Sequence, residues 1–240
     1  MTISIVIPVL DDGMRLQRLL GDLERHWPAL TDSATVAGRS GAGVRSRPEV
    51  IVVDGGSRDD SIDVAKSAGA RVLECRRGRG LQLDAGARAA SGRWLWFLHA
   101  DSGISPEVLH EIGRLAGRSP CWGRFDVRLE STPLLSLTAK AMNWRSTVTG
   151  ICTGDQGMFV HRTLLEAVGG VPRQPLMEDI ELSKRLRRFG RPLRLRTPLR
   201  ASARRWQTHG AFKTMILMWC LRIRYLCGAS PTELERRYYG

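Results

Sequence analysis

Trp94-Leu95-Trp96-Phe97-Leu98-His99-Ala100-Asp101-Ser102 is the stretch whose reading decides the fold. Its bulky apolar run follows the small, polar Ser91-Gly92-Arg93 and predicts a strand buried on both faces. His99 and Asp101 stand where that run stops. In an open parallel α/β sheet, ligands bind beyond the carboxyl ends of the strands. A carboxylate placed there can hold a hard divalent cation, Mg²⁺ or Mn²⁺, against a phosphate. The plainer reading makes Asp101 a loop residue that helps Ser102 or Ser105 cap the next helix. Taken alone, the nine residues weigh both readings equally, and the flanking sequence decides.

Upstream, Thr2 to Leu10 is β-branched and apolar and predicts a first buried strand, with Pro8 near its end where a missing N–H is tolerated. Met14, Leu16, Leu19, Leu20 and Leu23 then give a helix one apolar face. Residues 28–48 shift to Gly, Ser, Ala and Arg without a period, which predicts a flexible insertion. Glu49 to Asp54 reads as a second strand and Arg71 to Glu74 as a third, and the Ala- and Leu-rich stretch from Gly78 to Ala90 reads as a helix before the strand at 94–98. Strand and helix alternating at this spacing predict a mostly parallel sheet with crossover helices.

Downstream the pattern is less regular. Cys121 to Glu130 alternates as a strand, and Pro133 to Thr149 reads as a helix. Gly154-Asp155-Gln156-Gly157 is expected to open a further strand, Met158 to His161. Met177-Glu178-Asp179-Ile180-Glu181 starts a helix with an acidic first turn, as the helix dipole prefers. Ten basic residues and no acid lie between Lys184 and Arg205. His209 to Cys227 is apolar and helical, and Ser230-Pro231-Thr232-Glu233 begins a last short helix by a capping pattern.

At 240 residues the chain is long enough for one domain with an extension. A hydrophobic fraction of 42% and a charged fraction of 25% are those of a soluble globular protein. The net charge of +13 favours phosphate-bearing partners: a nucleotide, nucleic acid or an anionic membrane face. Five cysteines, an odd number without a Cys-x-x-Cys pair, suggest neither a disulfide frame nor a zinc site. Met1 leads straight into a strand, so no signal peptide is expected and a reduced, cytoplasmic setting fits.

Four motifs in order carry a family resemblance: Ile5-Val6-Ile7-Pro8, Val53-Asp54-Gly55-Gly56-Ser57, His99-Ala100-Asp101 and Met177-Glu178-Asp179. Together they resemble the family 2 glycosyltransferases of GT-A fold. Leu98-His99-Ala100-Asp101, Thr153-Gly154-Asp155-Gln156, Pro175-Leu176-Met177-Glu178-Asp179 and Ser202-Ala203-Arg204-Arg205-Trp206 resemble, within that family, the radical-SAM/selenodomain-associated subgroup. The resemblance spans nearly the whole chain outside 28–48. It implies a GT-A domain over 1–206, with a nucleotide-binding half at 1–101 and an acceptor half at 102–206. A helical extension at 207–240 follows.

The resemblance also implies roles. Asp54 matches the acid that accepts from the nucleotide base, with a turn former before Gly55-Gly56 as the alternative. Arg79 falls near the basic position that faces the diphosphate, where one more solvated arginine is the alternative. Pro8, Gly55 and Ala100 lie in the same motifs and join the nucleotide-binding set. Asp101 matches the last acid of Asp-x-Asp, which binds the metal bridging the diphosphate and so offsets leaving-group charge. His99 replaces the first acid; a histidine can bond a ribose or ligate Mn²⁺ but suits Mg²⁺ poorly. His209 is a further candidate metal or diphosphate contact, with a helix start as the alternative. Asp179 matches the general base of inverting members, with Glu178 orienting it or holding the helix start. Gly154, Asp155 and Gln156 match the acceptor-side loop, and Trp206 matches a tryptophan near the acceptor, a buried core residue being the alternative.

The reading that results is a metal-assisted (Mn²⁺ or Mg²⁺), inverting transferase using a nucleotide-diphosphate sugar, UDP-linked by expectation, and an acceptor that is a small molecule or lipid-linked. Met215 to Leu221 is apolar for too few residues to span a bilayer, which needs about 20. Three uses of that helix stay open: lying on anionic lipid, packing on the domain, or forming a homodimer contact. A nucleotidyltransferase is the alternative enzyme, but Asp11-Asp12-Gly13 is not the Gly-rich, basic loop that class carries after its first strand. A basic binding protein on the same scaffold is the third reading. Nucleic acid is disfavoured because single-strand readers expose aromatic platforms, whereas Trp94 and Trp96 belong to an apolar strand.

Overall fold

β-Branched and aromatic runs build the middle of the sheet: β1 (Ile3–Val9), β2 (Glu49–Asp54) and β4 (Trp94–Phe97), with β3 (Arg71–Glu74) on the outer side of β2. All four are parallel. Beyond β4 the sheet changes direction: β6 (Phe159–His161) runs antiparallel to both β4 and β5 (Trp122–Leu129). β7 (Leu193–Ala201) closes that edge parallel to β5, with an irregularity between Phe125 and Asp126. The strand order is β3-β2-β1-β4-β6-β5-β7. This computed structural model describes residues 3–27, 47–129, 132–202, 204 and 210–239. The expected insertion at 28–48 therefore lies almost wholly outside the described residues.

Helices cover both faces, because both faces of the central strands are apolar. On one face Ile5, Ile7, Trp94 and Trp96 pack under α1 (Gly13–His26) and α4 (Pro106–Arg114). α2 (Ser61–Ser67) packs beside α1. On the other, Val6, Val53, Leu95 and Phe97 pack with α3 (Arg79–Ala89) and α7 (Glu178–Leu186). Burying each such side chain stabilises the fold by roughly 1.5–3 kcal/mol before entropy is counted. α5 (Pro133–Thr149) docks on β5 through Asn143, whose amide accepts from the Val127 N–H at 2.8 Å and donates to the Val127 carbonyl at 2.9 Å. α6 (Arg162–Ala167) follows β6.

α8 (Ala211–Leu226) and α9 (Pro231–Tyr239) fold back onto the start of α7. Leu221 and Leu234 share a core cluster with Leu176, Met177 and Ile180. Tyr225 donates to Glu181 Oε2 at 3.2 Å, and Lys184 sits 4.7 Å from the Tyr225 ring centre. Trp144 on α5 and Trp219 on α8 remain exposed, at 70% and 60%. Among the described residues no helix is long and apolar enough to cross a membrane.

The expected elements form with three differences. Met14 is exposed rather than part of the apolar face of α1; Gly13 takes the inward place because an added Cβ would lie 2.1 Å from Asp60 Oδ1. Gly154-Asp155-Gln156 forms a tight 3-10 turn, not the start of a strand. The basic run after Lys184 contains β7, in which Leu195 and Leu199 point inward while Arg194 and Arg200 face out.

Candidate active site

The carboxyl ends of β1 and β4 open into a cleft of about 420 Å³. Pro8, Val9, Leu10 and Asp12 line one wall, His99, Ala100 and Asp101 another, and Arg77, Gly78 and Arg79 the approach to α3. Gln82 on α3 fixes this rim. Its buried amide donates to the Val9 carbonyl at 2.9 Å and the Val53 carbonyl at 2.8 Å, tying the strand ends together. Gly80 lets the chain before α7 come close, since a Cβ there would lie 2.5 Å from the carbonyl oxygens of Pro172 and Gln174.

Asp101 stands in the cleft with Asp12 and Asp155 nearby. Burial, together with those two acids, pushes its carboxyl above the ordinary range, against the pull of His99 and Arg15. Its charge is under-compensated by the protein. Among the described residues no three His, Cys, Asp or Glu side chains converge as a metal cage. One carboxylate still suits Mg²⁺, which keeps several waters and is held by one or two carboxylates plus substrate phosphates. Asp101 therefore fits a cation shared with a diphosphate.

A second, tighter space of about 70 Å³ lies behind the cleft, lined by Gly154, Asp155, Glu178, Asp179, Met218 and Arg222 among others. Arg79 lines both spaces, with its Nε 3.6 Å from Glu178 Oε1. α7 starts abruptly there: Met177 adopts φ 66°, a left-handed conformation that costs a non-glycine residue energy. That bend places Glu178 and Asp179 in the first turn, facing the 153–156 turn. Asp179 accepts from the Gly154 N–H at 3.0 Å and from its neighbour Ile180 N–H at 2.7 Å. Ser183 Oγ accepts from the Cys152 N–H at 3.0 Å and secures the same turn to α7.

Glu178 is 2% exposed. Burial pushes its carboxyl up to about 7, with Arg79 pulling down and Asp179 pushing up. The unfolded chain releases this proton near 4.5 and the folded one near 7, so ionisation opposes folding as pH rises through that interval. Glu178→Gln removes the opposition. Thermal melts across pH 5 to 8 are expected to show the variant gaining on the wild type with rising pH, by about 3 kcal/mol at the upper end. A constant difference across that range would refute the assignment.

Residues 4–156, more than half of the chain, match the model of glycosyl transferase family 2. The chain belongs to that family. Its fold is also found in S. aureus TarS residues 1–349 in complex with UDP, at 16% identity and a TM-score of 0.61, over 84% of this chain and 60% of that one. Glucosyl-3-phosphoglycerate synthase from Mycobacterium tuberculosis, in complex with Mg²⁺ and UDP, gives 21% identity and a TM-score of 0.58, over 83% of this chain and 70% of that one. The chain thus spans about 60% of TarS 1–349. At these identities the likeness is one of fold, the GT-A fold expected from the sequence.

Within this family member, several expected site residues hold other positions. Gln156 is fully buried and spent on the fold: its amide accepts from the Thr153 N–H at 3.1 Å and donates to Asn143 Oδ1 at 3.3 Å. His99 Nδ1 meets Asp155 Oδ1 at 3.3 Å, and Nε2 is buried where a Cβ on Gly154 would lie 2.3 Å away. His99 lines the cleft wall with its Nδ1 beside Asp155 and its Nε2 turned inward. Burial raises Asp155, but the His99 hydrogen bond and charge, with Arg79 and Arg222, bring it down to about 2.

Asp54 and Gly55 do not line the cleft. Asp54 Oδ2 accepts from the N–H groups of Gly56 at 2.7 Å and Ser57 at 3.0 Å, the turn-forming role. Its Oδ1 is buried without a partner among the described residues. Trp206 and His209 lie outside the described residues. Sequence reasoning missed Gln82, Arg77 and Glu235, which line the cleft, and Arg222, which lines the inner space. Only Gln82 carried a signal, a polar residue on the buried side of an Ala- and Leu-rich helix.

Proposed function

We propose that this chain transfers a sugar from a nucleoside diphosphate sugar, UDP being the expected nucleotide, to a hydroxyl acceptor with inversion at the anomeric carbon. The observation that carries this reading is Arg79, which borders both the Asp101 cleft and the Asp179 space. Donor phosphates and acceptor hydroxyl can thereby meet across one side chain. Family membership and the UDP complexes of two fold neighbours support the nucleotide.

In the cleft, Pro8, Ala100 and Gln82 shape the nucleotide site, and Arg77 and Arg79 supply positive charge beside the diphosphate. Asp101 would hold a divalent cation, whose contribution is to offset the charge of the departing diphosphate. Asp179 takes the proton of the acceptor hydroxyl as its oxygen bonds to the anomeric carbon and the carbon–phosphate-oxygen bond breaks. Two backbone N–H donors fix that carboxylate and leave its other lone pairs toward the space. Inversion follows because the base and the leaving diphosphate occupy opposite sides of the sugar.

Titration with a panel of nucleoside diphosphates, Mg²⁺ or Mn²⁺ present, tests the reading by thermal unfolding. A ligand at 100 times its dissociation constant adds about 2.7 kcal/mol. UDP is expected to raise the melting temperature most. No shift with any nucleotide would sink the proposal.

A further inference from the structure

Exposed apolar side chains are concentrated on two helices. Among the described residues, eight of the ten large hydrophobics that stand in solvent belong to α5 and α8. On α8 they are Ile216, Trp219, Ile223 and Leu226, spaced i, i+3, i+7 and i+10 and so on one face. The opposite face, with Thr214 and Leu221, is buried. On α5, Leu134, Leu137, Trp144 and Val148 form a second stripe, while Leu135, Thr138 and Ala139 are buried. The two helices meet where α5 ends: Ile151, just past its last turn, packs in the cluster that holds Leu217 and Leu221 of α8. Packing on the domain thus occupies one face of α8, and among the described residues nothing covers the other.

Charge selects the occupant. Neither helix contains an Asp or Glu, and together they carry five Lys and Arg. Lys140 stands one turn from Leu137 and Trp144, and Lys213 one turn before Ile216, both exposed. A second copy would bring two such acid-free faces together, each on a chain of net charge +13, and like charges across an interface oppose association. An anionic bilayer offers the reverse. It supplies hydrocarbon to the stripes, phosphate to the lysines, and an interface that suits the apolar rings and polar N–H of Trp144 and Trp219.

We infer that the outer faces of α5 and α8 form a docking surface for an anionic phospholipid bilayer, on which the protein lies without crossing it. None of the eight residues lines the cleft or the inner space, so this stands apart from the transferase reading. The other side of α8 does line the inner space, through Met218 and Arg222. Docking therefore sets that space about one helix diameter, ~10 Å, from the lipid.

The test sediments the full chain with vesicles of phosphatidylcholine alone and of equal parts phosphatidylcholine and phosphatidylglycerol. The protein is expected to bind the mixed vesicles, and the neutral ones at least about tenfold less tightly. Trp144→Ser and Trp219→Ser are each expected to lose at least about tenfold in affinity for the mixed vesicles, and Lys213→Ala about fivefold. These side chains already stand in solvent, so the variants should melt with the wild type. No binding to the mixed vesicles, equal binding to the neutral ones, or binding that either tryptophan variant keeps overturns the inference. So does a wild-type dimer that the same variants dissociate, which would give the stripes to a second copy. UDP binding is read separately by thermal unfolding, so loss of that signal touches the transferase reading alone.

Discussion

Asp179→Asn is expected to slow sugar transfer about 10³-fold, the range for removing a positioned general base, while UDP binds with unchanged affinity. The affinity is spared because Asp179 lines the inner space and not the nucleotide cleft. Asparagine keeps the size of the side chain but presents an NH₂ to one of the two N–H donors that Asp179 now satisfies. That mismatch costs about 1–3 kcal/mol of stability, so turnover is compared well below the melting temperature. Transfer within tenfold of the wild type would show that Asp179 only holds the 153–156 turn to α7, as the same two hydrogen bonds would also allow.

Asp101→Ala is expected to abolish the stabilisation by UDP and metal, a loss of about 2.7 kcal/mol when the wild type is measured at 100 times its dissociation constant. The ligand-free variant should be no less stable than the wild type at neutral pH. Burial raises the Asp101 carboxyl, so the fold bears an ionisation cost that alanine relieves. Thermal melts with and without ligand separate the two effects. A UDP shift that survives the substitution and is insensitive to EDTA would place the diphosphate on the arginines alone.

Two arginines of the candidate site illustrate how far local sequence reaches. Arg79 was identifiable because Arg79-Gly80-Leu81-Gln82 falls near a basic position of the family it resembles. Arg222 was not, because it lies in an apolar helix well over a hundred residues from Asp101 and reaches the site only when α8 folds back on α7. Gln156 shows the converse. Its motif suggested a ligand contact, yet the tight turn buries its amide against Asn143, a partner thirteen residues away in sequence on α5. His99 is similar: the sequence offers two ring nitrogens, and packing buries Nε2 against Gly154 while Nδ1 sits beside Asp155.

Local patterning specifies the strands at 3–9, 49–54, 71–74 and 94–97, their parallel pairing through crossover helices, and the two acids at a strand end and a helix start. Hydrophobic period, β-branching and the helix dipole act within a window of about ten residues, so a linear reading captures them. Long-range packing forms β7 in the basic run, brings Arg222 of α8 to the inner space and Glu235 of α9 to the cleft, and sets Arg79 beside both. Those outcomes depend on which side chains from distant segments exclude water together, and burial, unlike periodicity, is a property of the whole packed chain.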